Sequence, residues 1–203
     1  ELQVTNAEGK RTGTFGGKIV SEIPGSHPLY LVKGGYMLPA GEAYVRKFVG
    51  TAGGKYTFNT IMPEGMSIAL ENVDTVAGQE DALSIGADGT LLRFSPAVEK
   101  RVDLSVCRMV GDQARALTVT GVGGGPGSDI DIASSPDLSL VRVGNQGVDR
   151  SNIEVRAFML DKTTGAKLNE KVSGLTIPKD SDMTIAVTDW KQMQPSISMV
   201  PFE

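Results

Sequence analysis

Asp137-Leu-Ser-Leu-Val-Arg-Val143, a turn at Gly144-Asn145-Gln146-Gly147, and then Asn152-Ile-Glu-Val-Arg-Ala-Phe-Met-Leu-Asp161 decide the fold class. In the second segment Ile153, Val155, Ala157 and Met159 hold alternate positions, and Glu154 and Arg156 fall between them. Side chains on a strand point to opposite faces in turn, so this segment has one apolar face and one that begins charged. A sheet with one face on a core needs that pattern. In the first segment Leu138 and Leu140 alternate with Ser139, and Val141 and Val143 alternate with Arg142. The phase slips by one residue between Leu140 and Val141, which predicts a β-bulge. A helix is disfavoured, because Gly144 and Gly147 interrupt the run and β-branched residues are common on both sides. The two segments are expected to be half-buried strands paired through the loop.

The same short-strand pattern runs through all 203 residues, and the 25 glycines are spread along the chain as turns require. Ala43–Val49 and Tyr56–Met62 resemble the two arms of a hairpin. Asp88-Gly89 is a hairpin signal between Leu83–Ile85 and Leu91–Phe94. Val73–Ala82 is polar and irregular, with a single helical turn as the alternative. Turn signals every 8–12 residues or so divide the chain into about fourteen to sixteen short strands with no persuasive helix, the profile of a β-sandwich. The expected fold is all-β: two β-sandwich modules in tandem, immunoglobulin-like or jelly-roll-like. They cover residues 1–100 and 101–203, with the boundary sought at Pro96-Ala-Val-Glu-Lys100.

Charge and composition narrow the function classes. The net charge is −4, and Lys and Arg form no block, so the basic patch of a nucleic-acid site is not visible. No apolar run approaches the roughly 20 residues of a membrane-spanning helix. Cys107 is the single cysteine, so an intrachain disulfide is excluded; it reads as a small apolar residue on a strand. The chain opens Glu1-Leu-Gln-Val-Thr5 with neither an initiator Met nor a secretory leader, which suggests a processed product or an excised domain.

Few residues carry chemistry. Gly121-Val-Gly-Gly-Gly-Pro-Gly-Ser128 resembles a phosphate loop, but no Lys-Ser or Lys-Thr follows and a strand comes next, so it is read as a flexible loop. Asp129, Asp131 and Asp137 are the candidate metal ligands, with Asp180 and Asp182 as a second acidic group, since oxygen-rich loops between strands can hold Ca²⁺. Neither group has EF-hand spacing, and isolated loop aspartates commonly close Asx-turns. A nucleophilic triad would have to use His27, the only histidine, and one His with one Cys cannot close a zinc site. Exposed aromatics suit sugar rings. Among Tyr30, Tyr36, Tyr44, Tyr56 and Trp190, the candidate ligand-binding residues are Trp190 and Tyr36, with Asn145 in its turn.

In its strand pattern and its Asp137-Leu-Ser-Leu…Asn145-Gln-Gly run, the second half is similar to immunoglobulin-like accessory modules of bacterial surface and secreted proteins, without a diagnostic motif. The resemblance implies an extracellular or cell-surface setting and an accessory role. The expected function is a non-catalytic binding or structural module, such as an adhesion or carbohydrate-binding domain with a protein or glycan partner. One alternative is a self-associating subunit of a pilus, sheath or virus particle. Another is an all-β hydrolase using paired carboxylates.

Overall fold

The computed structural model describes residues 1–145, 149–192 and 195–201, with Glu64 and Asn145 described in their backbone alone. These residues form an all-β fold. The strands are β1 (Leu2–Thr5), β2 (Arg11–Phe15), β3 (Lys18–Ser21), β4 (His27–Leu29), β5 (Gly35–Met37), β6 (Tyr44–Val49), β7 (Gly54–Met62), β8 (Met66–Thr75) and β9 (Glu80–Ile85). They continue as β10 (Leu91–Ser95), β11 (Lys100–Val110), β12 (Gln113–Gly124), β13 (Ile130–Ser134), β14 (Leu140–Asn145), β15 (Arg150–Asp161), β16 (Lys167–Ile177), β17 (Ser181–Ala186) and β18 (Ser196–Pro201). A 3₁₀ turn at Pro63–Gly65 is the sole helical element among the described residues, and no helix is long and apolar enough to cross a membrane.

Two antiparallel sheets make up the body. The larger has ten strands in the order β18-β17-β14-β13-β10-β9-β6-β1-β2-β3, and the smaller has six in the order β16-β15-β12-β11-β8-β7. From β6 onward the chain advances by a repeated step. It lays two strands in the small sheet, crosses, and lays two in the large one. A hairpin with one apolar face can bury it only against a facing layer, so alternate hairpins go to opposite sheets. Buried side chains from both sheets, running from Phe48 to Trp190, form one continuous core.

Both sheets pass through the boundary expected near residue 100. Phe94 of β10 pairs with Ile130 of β13, and Leu70 of β8 pairs with Leu104 of β11. Residues 1–100 and 101–203 therefore share two sheets and one core, and the step from β10 to β11 is of the same kind as every other crossing.

Several local expectations are corrected. β14 and β15 do not pair: they lie in different sheets, on β13 and β17 and on β12 and β16 respectively. The same holds for β6 and β7, which were expected to form a hairpin. An inward apolar face suits two strands facing each other across the core as well as two strands side by side. The expected bulge at Leu140/Val141 is absent, since β14 keeps regular register on both sides. Instead Leu138 sits in the preceding turn at φ 55° and drops its side chain into the core, while Leu140 starts the strand facing outward. Val73–Ala82 is strand at both ends around a turn rather than irregular or helical. The glycine run is no loose loop. β12 extends to Gly124, and a Cβ on Gly123 would lie 2.5 Å from Nε of the buried Arg150. The Asp88-Gly89 hairpin between β9 and β10 forms as expected, with Gly89 at φ 71°.

Candidate ligand cavity

The larger sheet carries β1, β2 and β3 beyond β6, where the smaller sheet ends at β7. The two-stranded hairpin β4–β5 belongs to neither sheet and packs at this end. Two hydrogen bonds anchor it: the Tyr36 and Thr14 hydroxyls lie 2.6 Å apart, and Tyr44 Oη donates to the Pro39 carbonyl at 2.9 Å. Val4, Ile23 and Tyr44 form a small core of their own here, with Leu2 and Leu38 against it. Between the hairpin and the sheets lies a cavity of about 710 Å³, within the range typical of small-molecule sites. Leu2, Val4, Tyr44, Phe48, Phe58 and Ile85 supply its apolar wall.

Arg46 also lines this cavity and is 6% exposed. Its strand explains the burial. Tyr44, Arg46 and Phe48 are the inward positions of β6, and Val45 and Lys47 point out. The guanidinium has five N–H donors, and one hydrogen bond is formed, from Nη1 to the Tyr44 carbonyl at 3.1 Å. Its plane also lies over Tyr44 and Phe58, 5.7 and 6.0 Å from the ring centres. Among the described residues no carboxylate pairs with it. Burial pushes its pKa down to about 10, so it stays a cation at neutral pH. Among the described residues, the buried side-chain nitrogens that lack any partner are Arg108 Nε, Arg150 Nε and Trp190 Nε1. Arg46 is not among them, so its remaining donors open onto cavity space rather than being sealed in protein.

The neighbouring buried cation shows what a satisfied charge looks like in this fold. Lys100 Nζ donates to Asp81 Oδ2 at 2.7 Å, to Oδ1 at 2.9 Å and to the Asp74 carbonyl at 2.8 Å. Asp81 also accepts from Tyr56 Oη, Gln79 Nε2 and the Ala97 N–H, each at 2.9 Å. Burial and the Asp81 carboxylate together push the Tyr56 phenol far above its ordinary range. Every proton of the ammonium and both carboxylate oxygens are used, which is the condition for a buried pair to be tolerated. Arg46 has no equivalent.

The residues singled out from the sequence are scattered. Tyr36 lines the Arg46 cavity. Trp190 is 4% exposed and caps the main core, with the Arg115 guanidinium 5.3 Å from its ring, so it offers no open face for a sugar. Asn145 ends β14, and its side chain and the adjoining Gln146 and Gly147 lie outside the described residues. Asp129 and Asp131 both turn to Arg93, at 3.7 and 2.7 Å. Asp137 lies past the far end of β13 and closes an Asx-turn, accepting from the Ser139 N–H at 3.0 Å and Ser135 Oγ at 2.8 Å. The three acids are thus not brought together, and among the described residues no group of three His, Cys, Asp or Glu is placed to share an ion.

A larger, shallower cleft of about 1250 Å³ crosses the outer face of the ten-stranded sheet, along the lateral row Val45, Ser84, Arg93, Asp131, Gly144, Asp182 and Val200. Its charges are already matched, Arg93 with Asp131 and Arg142 with Asp182 at 2.9 Å. It therefore presents no unbalanced charge to a ligand. Arg46 was not among the sequence candidates. The signal that points to it is its phase: a charged residue between Tyr44 and Phe48 on the inward side of a strand. No protein-family model, curated protein or solved structure matches the chain.

Proposed function

We propose that the chain is a non-catalytic binding module whose ligand is an amphipathic anion, a carboxylate on an apolar body, held with its head on Arg46. The observation that carries this reading is the buried guanidinium without a counter-ion on the wall of an apolar cavity. An unpaired buried charge costs several kcal/mol, and a carboxylate offers the geometry that a guanidinium's fork accepts through two parallel hydrogen bonds. Tyr44, Phe48 and Phe58 supply apolar surface for the rest of the molecule.

Calorimetric titration with dodecanoate, dodecanol and dodecylammonium tests the reading. One-site binding of dodecanoate is expected, with dodecanol at least about tenfold weaker, the share of one charge-assisted hydrogen bond. Equal affinity for the acid and the alcohol, or no saturable binding of the acid, contradicts it.

The self-assembly reading draws on a different observation. β18 is one of the two edge strands of the large sheet and leaves Val200 half exposed, a ready edge for another chain. At the same end of the small sheet the edge strand β16 carries Lys167, Glu170 and Lys171, charges of the kind that blunt edge pairing. A sedimentation coefficient that does not change with concentration counts against assembly.

A further inference from the structure

The cavity mouth carries a concentration of exposed apolar side chains. Leu29 ends β4, and Tyr30, Leu31 and Val32 follow it in the turn of the β4–β5 hairpin, with Tyr30 91% and Leu31 100% exposed. Met37 of β5 and Ile61 of β7 line the same cavity and are themselves exposed. Ile19 lies beside the hairpin, because its strand partner Thr14 meets the Tyr36 hydroxyl, and it too is exposed. The turn is ordered: the Val32 N–H donates to the Leu29 carbonyl at 3.1 Å and the Gly35 N–H to the Val32 carbonyl at 2.8 Å, with Gly34 at φ 77°.

A protein groove reads one face of an element, at every second residue of a strand or every third or fourth of a helix. Four consecutive apolar residues running from a strand end through a tight turn splay in several directions, and no single groove covers them all. Hydrocarbon makes no directional demand and accepts them together. The flanking residue types agree: Tyr and Lys are at home at a membrane–water boundary, one with a polar tip and the other with a long stem below its charge. Lys33 at the turn and Lys18 next to Ile19 enter no ion pair among the described residues, which leaves two cations for anionic headgroups.

We infer that the Leu29–Lys33 turn inserts into a lipid surface and sets the mouth of the Arg46 cavity against it, which makes the source of the cavity's ligand a lipid-derived long-chain carboxylate. The insertion stands on the exposed turn alone; the identity of the ligand rests on the binding function proposed above.

Co-sedimentation of the full chain with phosphatidylcholine vesicles, with and without phosphatidylserine, tests it. The wild type is expected in the vesicle pellet, more so with phosphatidylserine. Leu31→Asp is expected to lower the vesicle partition coefficient by about tenfold or more, the share of one buried leucine. Leu31 touches no core, so its circular dichroism and melting should match the wild type. Arg46→Met should pellet with vesicles as the wild type does while losing dodecanoate. A wild type that stays in the supernatant, or Leu31→Asp that pellets equally, overturns the insertion. So does self-association in lipid-free buffer that Leu31→Asp abolishes, if vesicles bind neither protein, since the turn is then a contact between copies. Vesicle binding by wild type and Arg46→Met, with dodecanoate bound by neither, overturns the ligand assignment and leaves the insertion standing.

Discussion

At the residue scale two of the buried cations, Lys100 and Arg46, behave as opposites. Lys100 is saturated by Asp81 and the Asp74 carbonyl, and removing one partner strands the other in a dry interior. Asp81→Asn or Lys100→Met is expected to lower the unfolding free energy by about 3–5 kcal/mol in urea titrations. Tyr56→Phe removes one donor from the same carboxylate and should cost about 1 kcal/mol. Asp137 gives a pH signature. The Ser139 N–H, followed by the Ser139 and Ser135 side chains, holds its carboxyl down to about 2, from an ordinary 3.8. A carboxylate whose folded pKa is depressed stabilises above its unfolded pKa and loses that contribution as pH falls through the folded one. Melting temperature should therefore drop between pH 4 and 2 or so, and by less in Asp137→Asn, whose side chain does not titrate. These roles were only partly legible beforehand. Arg46 was missed: its place between Tyr44 and Phe48 is the signal, but only the structure shows that face to be the inward one, and whether an acid meets it depends on chain far from β6. Asp81 looked like any polar turn residue, because its partners come from β7, β11 and the turn at Ala97.

At the element scale the strands were legible and their partners were not. Alternation located β14, β15 and β17, and Asp88-Gly89 located one hairpin. Yet an apolar face says only that a strand meets the core; it does not say from which layer. The residues after β14 carry no signal that separates a return alongside from a crossing to the opposite sheet. The misread phase of β14 has the same origin. Alternation was extended one turn too far, to Leu138, whose left-handed backbone reaches the core without being strand. Leu138 is fully buried and Leu140 about half exposed. Leu138→Ala is expected to cost about 2–5 kcal/mol. Leu140→Ala should stay within about 0.5 kcal/mol of wild type. Equal costs in chemical denaturation would restore the bulge.

At the scale of the whole molecule, the repeated hairpin step produces two unequal layers, and the inequality creates the site. The large sheet outruns the small one by three strands at the β3 end. A separate hairpin fills that end incompletely, and the inward face of β6 then borders a cavity beside its ring contacts with β7. Chains cut at residue 100 would expose the inner edges of β8 and β10 on one side and of β11 and β13 on the other. Each half alone is therefore expected to aggregate or give a poorly dispersed amide spectrum. Two well-dispersed, independently melting halves would favour tandem modules instead.

The central claim is that Arg46 is kept for a ligand at a cost to the empty protein. Losing its contacts with the Tyr44 and Phe58 rings costs about 1 kcal/mol, less than the several kcal/mol of an unpaired buried charge. The most direct measurement is a thermal melt of wild type and Arg46→Met, each with and without dodecanoate. The account predicts that Arg46→Met melts above the ligand-free wild type and that dodecanoate raises the wild-type melting temperature alone. An Arg46→Met protein that melts lower, or that dodecanoate stabilises as much as the wild type, would contradict it.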